Sequence, residues 1–98
     1  MATEQLSARN SLPSMRLDGQ VALVTGASGG IGRLACCAFA ESGARVVAAG
    51  RDRAKLQKTA DEVRARGAEA EIVVADVSEA GGPQTMAEQT LARYGRID

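Results

Sequence analysis

The stretch that decides the fold runs from Thr25 to Gly32 and reads TGASGGIG. It follows a short apolar run, Val21 to Val24, and precedes a segment whose apolar residues recur with a helical period. A glycine-rich turn between a strand and a helix lets the chain change direction sharply and turns the first N–H groups of the helix toward a phosphate. A purely structural turn is the alternative, but four glycines in eight residues disfavour it. The octet therefore predicts a nucleotide-binding βα unit.

Individual residues of this turn are predicted to have separate roles. Gly26 allows the sharp turn away from the strand, and Gly30 leaves room for a pyrophosphate near the backbone. Gly32 allows the helix to pack close to the sheet. Together with Ser28 and Ile31, these three glycines are the candidate phosphate-side residues.

Outward from the turn, predicted strands alternate with predicted helices. Strands are expected at 21–24, 45–49 and 72–75, with Arg96–Asp98 entering a fourth strand that is not completed. The predicted apolar helix faces are Ile31, Leu34, Ala35, Ala38 and Phe39; then Leu56, Ala60 and Val63; then Met86, Thr90, Leu91 and Tyr94. Asp52 is expected to cap the second helix, and Pro83 to begin the third. This alternation predicts an α/β fold with a parallel sheet, the β-α-β-α-β-α half of a Rossmann-like doubly wound domain.

Composition limits the organisation and the function of the chain. Its 98 residues allow one small domain, which we divide into a flexible extension over residues 1–16 and a dinucleotide-binding half over residues 17–98. Lys plus Arg and Asp plus Glu are both 12, so bulk charge gives no reason to expect a nucleic-acid partner or a membrane surface. The adjacent Cys36 and Cys37 are predicted to be packing residues, and no metal site is expected. No apolar run approaches a membrane span, and we expect a cytoplasmic protein.

The octet resembles the short-chain dehydrogenase/reductase superfamily, with Thr-Gly, three residues, Gly, one residue, Gly. It departs from the common dinucleotide fingerprint, because Ser28 stands where that pattern has its second glycine. It also fits the extended branch of the superfamily, which includes sugar-nucleotide epimerases. The resemblance of Asp76-Val77 to the adenine contact of the single-domain branch, and of Tyr94–Asp98 to its entry into strand four, favours the single-domain branch.

The residues after the second strand bear on the choice of cofactor. An NAD-binding protein of this kind would carry an acidic residue about 20 positions after the glycine motif, to accept from the ribose hydroxyls. Gly50 stands at that place, and Arg51 follows it. A guanidinium there could hold a 2′-phosphate through charge-assisted hydrogen bonds. We therefore expect NADP(H) in preference to NAD(H).

The resemblance implies hydride transfer between this cofactor and a small carbonyl or alcohol substrate, in a protein that forms a homo-oligomer when intact. It also implies a catalytic Ser and a Tyr-x-x-x-Lys pair, and neither can be assigned in this chain. Its one tyrosine is Tyr94, and four positions on stands Asp98. No catalytic residue is therefore predicted here, and this chain alone is expected to be inactive. Two alternatives remain: a truncated nucleotide-binding or pairing module, and the amino-terminal part of a sugar-nucleotide epimerase.

Overall fold

Strands and helices alternate along the chain as the apolar pattern predicts. The computed structural model describes residues 16–98. Its elements are β1 (Val21–Val24), α1 (Gly30–Glu41), β2 (Arg45–Gly50), α2 (Arg53–Ala65), β3 (Ala70–Val74) and α3 (Gly82–Tyr94). The three strands form one parallel sheet in the order β1-β2-β3, which confirms the predicted α/β, Rossmann-like half. The predicted extension lies outside the described residues except for Arg16, whose guanidinium donates to the Glu41 carbonyl oxygen at 3.0 Å.

The central strand β2 builds a core on each face of the sheet. Its side chains alternate between the two faces, and every residue of the strand after Arg45 is buried. Val46 and Ala48 pack with α1 and α2. Val47 and Ala49 pack on the other face with β1, β3 and Met86 of α3. Helices on both faces explain why this strand is continuously apolar, as parallel strands commonly are.

Helix α2 follows its sequence signals closely. The Asp52 side chain accepts from the Lys55 backbone N–H at 3.1 Å, which caps the helix as predicted. The predicted apolar face of Leu56, Ala60 and Val63 is fully buried. The helix is therefore fixed at its amino end by a cap and along its length by the core.

The predicted buried face of α1 is wrong. Ile31 is 86% exposed and Leu34 63% exposed, whereas the buried residues of this helix are Cys36, Cys37 and Ala40. Small side chains of α1 pack against the sheet, whereas Ile31 and Leu34 are mostly exposed to solvent. Burial raises the pKa of the Cys36 thiol to about 11, which fits an unreactive packing residue.

The last described residue, Asp98, lies beside β1. Its backbone N–H donates to the Val21 carbonyl oxygen at 2.9 Å, and its Oδ2 accepts from the Val21 N–H at 2.9 Å. Arg96 to Asp98 form no strand in the described part of the chain, so the predicted entry into a fourth strand is seen only as this contact. None of the helices within residues 16–98 is long and apolar enough to cross a membrane.

Two leucines on different helices test this description of the core. Leu56 is fully buried, whereas Leu91, which the sequence placed on a buried face, is 47% exposed. Leu56→Ala should lower the free energy of unfolding by about 2–5 kcal/mol, because it leaves a cavity between α2 and the sheet. The matched Leu91→Ala should lower it by less than about 1 kcal/mol. Urea unfolding of both variants measures the difference, and equal losses would contradict this core.

Candidate nucleotide-binding site

A cleft of about 340 Å³ lies where the three parallel strands end. The carboxyl ends of parallel strands meet at one edge of a sheet, so the segments after β1, β2 and β3 converge there. Residues from all three segments, and one from α3, line the cleft: Gly26, Ser28, Gly50, Arg51, Ala75, Asp76, Val77, Ser78 and Met86. The sheet thus brings together short motifs that are about 25 residues apart in sequence.

The eight residues predicted to bind the cofactor fall into two neighbouring groups. The cleft is lined by Gly26, Ser28, Arg51, Asp76 and Val77. The other three, Gly30, Ile31 and Gly32, form the first turn of α1, and the Ile31 side chain points largely into solvent. The first group therefore surrounds the cleft, and the second contributes backbone next to it.

The glycine-rich turn has the open backbone that a bound phosphate requires. Gly26 and Gly30 have φ values of +63° and +58°, in the left-handed region that favours glycine, and a Cβ on either would meet no atom within 4 Å. Gly32 differs, because a Cβ there would overlap the Gly26 carbonyl group. The close packing seen at Gly32 is therefore against the turn, and its predicted packing against the sheet stays a prediction.

The amino end of α1 is available to an anion. Among the described residues no side chain caps this helix, and its first turn carries no acidic residue. Helix α2, by contrast, uses the Asp52 carboxylate as its cap. A phosphate at α1 would accept from N–H groups that in α2 are partly satisfied by the protein, and the helix dipole would favour its negative charge.

Gly50, at the end of β2, lies close to both the glycine-rich turn and Leu56. A Cβ at this position would lie 3.8 Å from the Ser28 Cβ and 3.3 Å from the Leu56 Cδ2 atom. An acidic side chain at residue 50 would therefore lie near the turn. With glycine at this position, the cleft has no carboxylate there.

Positive side chains surround the adjoining surface. Arg51 is 79% exposed, and its Nη1 atom lies 3.9 Å from the Asp76 Oδ2 atom. An ion pair this long and exposed is weak, so the guanidinium can turn to another anion. Beyond it, a wider cleft of about 660 Å³ is lined by Ser28 and by residues 51–55, which include Arg53 and Lys55. The one carboxylate in that segment, Asp52, is engaged by the helix cap.

Asp76 is held as a charged, oriented carboxylate. Its Oδ1 atom accepts from the Ser78 hydroxyl at 2.6 Å and from the Ser78 backbone N–H at 2.8 Å. These two bonds, with the hydroxyl contributing most, hold the pKa of Asp76 below its ordinary value. The Oδ2 atom is left on the side of Arg51, where it can accept from a ligand.

Three residues around Asp76 were not predicted from the sequence as part of the site. Ser78 could have been found, because an Asp with a Ser two residues later is typical of a local side-chain turn. Met86 was predicted only as a core residue. Gly82 begins α3 so close to the loop that a Cβ would overlap the Asp76 carbonyl. The sequence marked this place only as the start of a helix at Pro83, which the structure confirms. Residues 16–98 contain no group of three or more possible metal ligands.

The bonds to Asp76 give a direct test of this loop. Ser78→Ala removes the hydroxyl donor, so the pKa of Asp76 should rise toward the ordinary value of an aspartate. A ¹³C NMR titration of the side-chain carboxyl carbon measures it. Ser42→Ala is the control, since the Ser42 hydroxyl donates to the Ala38 carbonyl oxygen and contacts no carboxylate. An unchanged Asp76 pKa in Ser78→Ala would show that the hydroxyl does not hold the charge.

Residues 20–98 match the short chain dehydrogenase family. A curated relative, the A-factor type gamma-butyrolactone 1′-reductase (1S-forming) of Streptomyces virginiae, is 44% identical over 84% of this chain and 32% of its own length. A metagenomic short-chain oxidoreductase solved in complex with NADP is 44% identical, with a TM-score of 0.78 over 84% of this chain and 37% of that one. An NAD⁺-bound xylitol dehydrogenase is 33% identical, with a TM-score of 0.79 over 83% of this chain and 31% of that one.

The chain thus spans about a third of the length of each of these proteins. Its sequence, its sheet order and its glycine-rich turn make it a member of the short-chain dehydrogenase/reductase superfamily.

Proposed function

We propose that this chain forms the adenosine and phosphate side of an NADP(H) site in an oxidoreductase that interconverts carbonyl and alcohol groups. The observation that carries the proposal is the convergence of the glycine-rich turn, the Gly50-Arg51 pair and Asp76 on one cleft. Membership of an oxidoreductase family supports this function over a sugar-nucleotide epimerase or a pairing module. The homo-oligomer and the cytoplasmic location expected from the sequence stay predictions.

The residues present fit such a cofactor. The positive φ values of Gly26 and Gly30, with no atom near their missing side chains, leave a cradle that any Cβ would fill. The uncapped first turn of α1 provides N–H donors for a pyrophosphate. Asp76 presents a carboxylate oxygen that can accept from the amino group of an adenine, beside the exposed Val77.

Charge favours NADP(H) over NAD(H). A 2′-phosphate would be repelled by a carboxylate at residue 50, and Gly50 has none. Arg51 lies next to it with a largely exposed guanidinium, and Arg53 lines the same wider cleft. Solved relatives hold either cofactor, since one is described with NADP and another with NAD⁺. The preference proposed for this chain therefore rests on its own residues.

The contribution of these residues to the reaction is binding and orientation. When bound, a nicotinamide cofactor supplies or accepts the hydride. This chain would hold its adenosine and phosphate groups, and the binding energy gained there fixes the position of the distant reactive ring. Proton transfer to the substrate oxygen is assigned to none of these 98 residues, since the chain has no Tyr-x-x-x-Lys pair.

Replacing Arg51 tests the 2′-phosphate contact. In the intact protein, Arg51→Ala should weaken NADP⁺ binding about ten- to a hundredfold, because charge-assisted hydrogen bonds to the phosphate are lost. NAD⁺, which lacks the phosphate, should bind nearly as before. Isothermal titration calorimetry with both cofactors measures the two dissociation constants. Arg66→Ala is the control: it removes the same charge from the far end of α2, where Arg66 pairs with Glu41. Equal losses for NADP⁺ and NAD⁺ in Arg51→Ala would contradict the assignment.

Replacing Gly50 tests the cofactor preference from the opposite direction. Gly50 has no positive φ, and a new Cβ would lie 3.3 Å from the Leu56 Cδ2 atom, so a side chain requires a small shift of this buried leucine. Gly50→Asp should lower NADP⁺ affinity by about tenfold or more through repulsion of the 2′-phosphate. It should also raise NAD⁺ affinity, because the carboxylate accepts from the ribose hydroxyls. Gly50→Asn, of the same shape without the charge, should produce neither change to this extent. A similar NADP⁺ loss in both variants would point to steric exclusion instead.

A further inference from the structure

Thr59 joins helix α2 to the glycine-rich turn. It lies in the second turn of the helix and is fully buried. Its Oγ1 atom is 2.7 Å from the Ala27 carbonyl oxygen and 3.3 Å from the Lys55 carbonyl oxygen. A hydroxyl has one proton to donate, and the shorter contact to Ala27 is the better hydrogen bond. Thr59 therefore donates across the fold to the turn rather than back into its own helix.

Ala27 is the central residue that this bond fixes. It is fully buried between Gly26 and Ser28, both of which line the cleft. Its N–H donates to the Ala49 carbonyl oxygen at 3.0 Å, so β2 holds one side of the residue and Thr59 of α2 holds the other. Two bonds from different elements fix the orientation of the adjacent peptides, and with them the cradle of the glycine-rich turn.

We infer that Thr59 is a positioning residue for the pyrophosphate-binding turn, an inference that rests on the proposed function. Helix α2 begins at the surface that carries Arg51, Arg53 and Lys55, and Thr59 lies one helical turn after Lys55. The bond to Ala27 sets the position of the turn against the start of α2. It thereby fixes the separation between the proposed pyrophosphate and 2′-phosphate contacts of one cofactor.

Another buried threonine distinguishes this role from simple stabilisation of the fold. Thr90 of α3 is also fully buried, and its Oγ1 donates at 2.7 Å to the Met86 carbonyl oxygen one turn earlier in the same helix. Both threonines therefore have a buried hydroxyl and a bond of equal length. Only that of Thr59 connects a helix to the glycine-rich turn.

The experiment compares two ligands in the intact protein by calorimetry. NADP⁺ contains the pyrophosphate, whereas adenosine 2′-phosphate has the adenine, ribose and 2′-phosphate without it. Thr59→Val should weaken NADP⁺ binding by about tenfold, because the Ala27 carbonyl loses its donor and the turn its fixed orientation. The same variant should bind adenosine 2′-phosphate within about twofold of wild type, and Thr90→Val should bind both ligands within about twofold. Thermal unfolding of each variant records the accompanying loss of stability.

A second pair of variants keeps the test decisive if Thr59→Val does not fold. Thr59→Ser and Thr59→Ala both lack the methyl group and differ only in the hydroxyl, so Thr59→Ser should bind NADP⁺ close to wild type and Thr59→Ala should bind it more weakly. Unchanged NADP⁺ affinity in Thr59→Val, equal weakening of both ligands, or equal NADP⁺ binding by Thr59→Ser and Thr59→Ala would overturn the role of Thr59. Failure of the wild-type protein to bind NADP⁺ would instead overturn the proposed function together with this inference.

Discussion

The close contact between the glycine-rich turn and the first turn of α1 is the constraint on which the rest of the structure depends. A Cβ at Gly32 would overlap the Gly26 carbonyl group, so this approach is possible only without a side chain. It places the amino end of α1 next to the turn residues that line the cleft. Farther along α1, small residues such as Cys36 and Ala40 pack against the sheet. One close approach thus shapes the end of α1 at which we propose that a phosphate binds.

The cleft depends on a second constraint, which is the orientation of the charges at its rim. The Asp76 carboxylate is bound by Ser78 within its own loop, which leaves one oxygen for a ligand or for Arg51. Arg51 has no comparable anchor in the described part of the chain beyond this long ion pair. The Asp76 carboxylate is therefore fixed, whereas the Arg51 guanidinium can move. That difference suits a site in which a planar, neutral adenine meets the fixed group and a phosphate meets the mobile one, because Coulomb attraction acts over longer distances than a hydrogen bond.

The sequence predicted those features that depend on neighbouring residues. Asp52 as a cap, the buried face of Leu56 and the glycine turn at Gly26 all follow from local patterns, and the structure contains them. The buried face of α1 could not be predicted in this way. Periodicity marks where large apolar residues lie, and the usual inference is that they face the core. At α1 the side that packs on the sheet carries small residues such as Cys36 and Ala40, which a pattern of large apolar residues does not mark.

Thr59 shows the same limit at the site. On α2 it stands between Leu56 and Ala60 and shares their buried side, so its position predicts a tolerated polar residue in the core. A buried hydroxyl near the carbonyl four residues earlier would usually bond within its own helix, as Thr90 does. Thr59 instead gives its shorter bond to Ala27, which is 32 residues away. The glycine-rich turn is thus held through the buried Ala27, while the exposed Gly26 before it and Gly30 after it keep the open backbone that the proposed phosphate needs. Ala27 anchors the turn and the adjacent Gly26 leaves it open, so neighbouring residues of one turn provide rigidity and access.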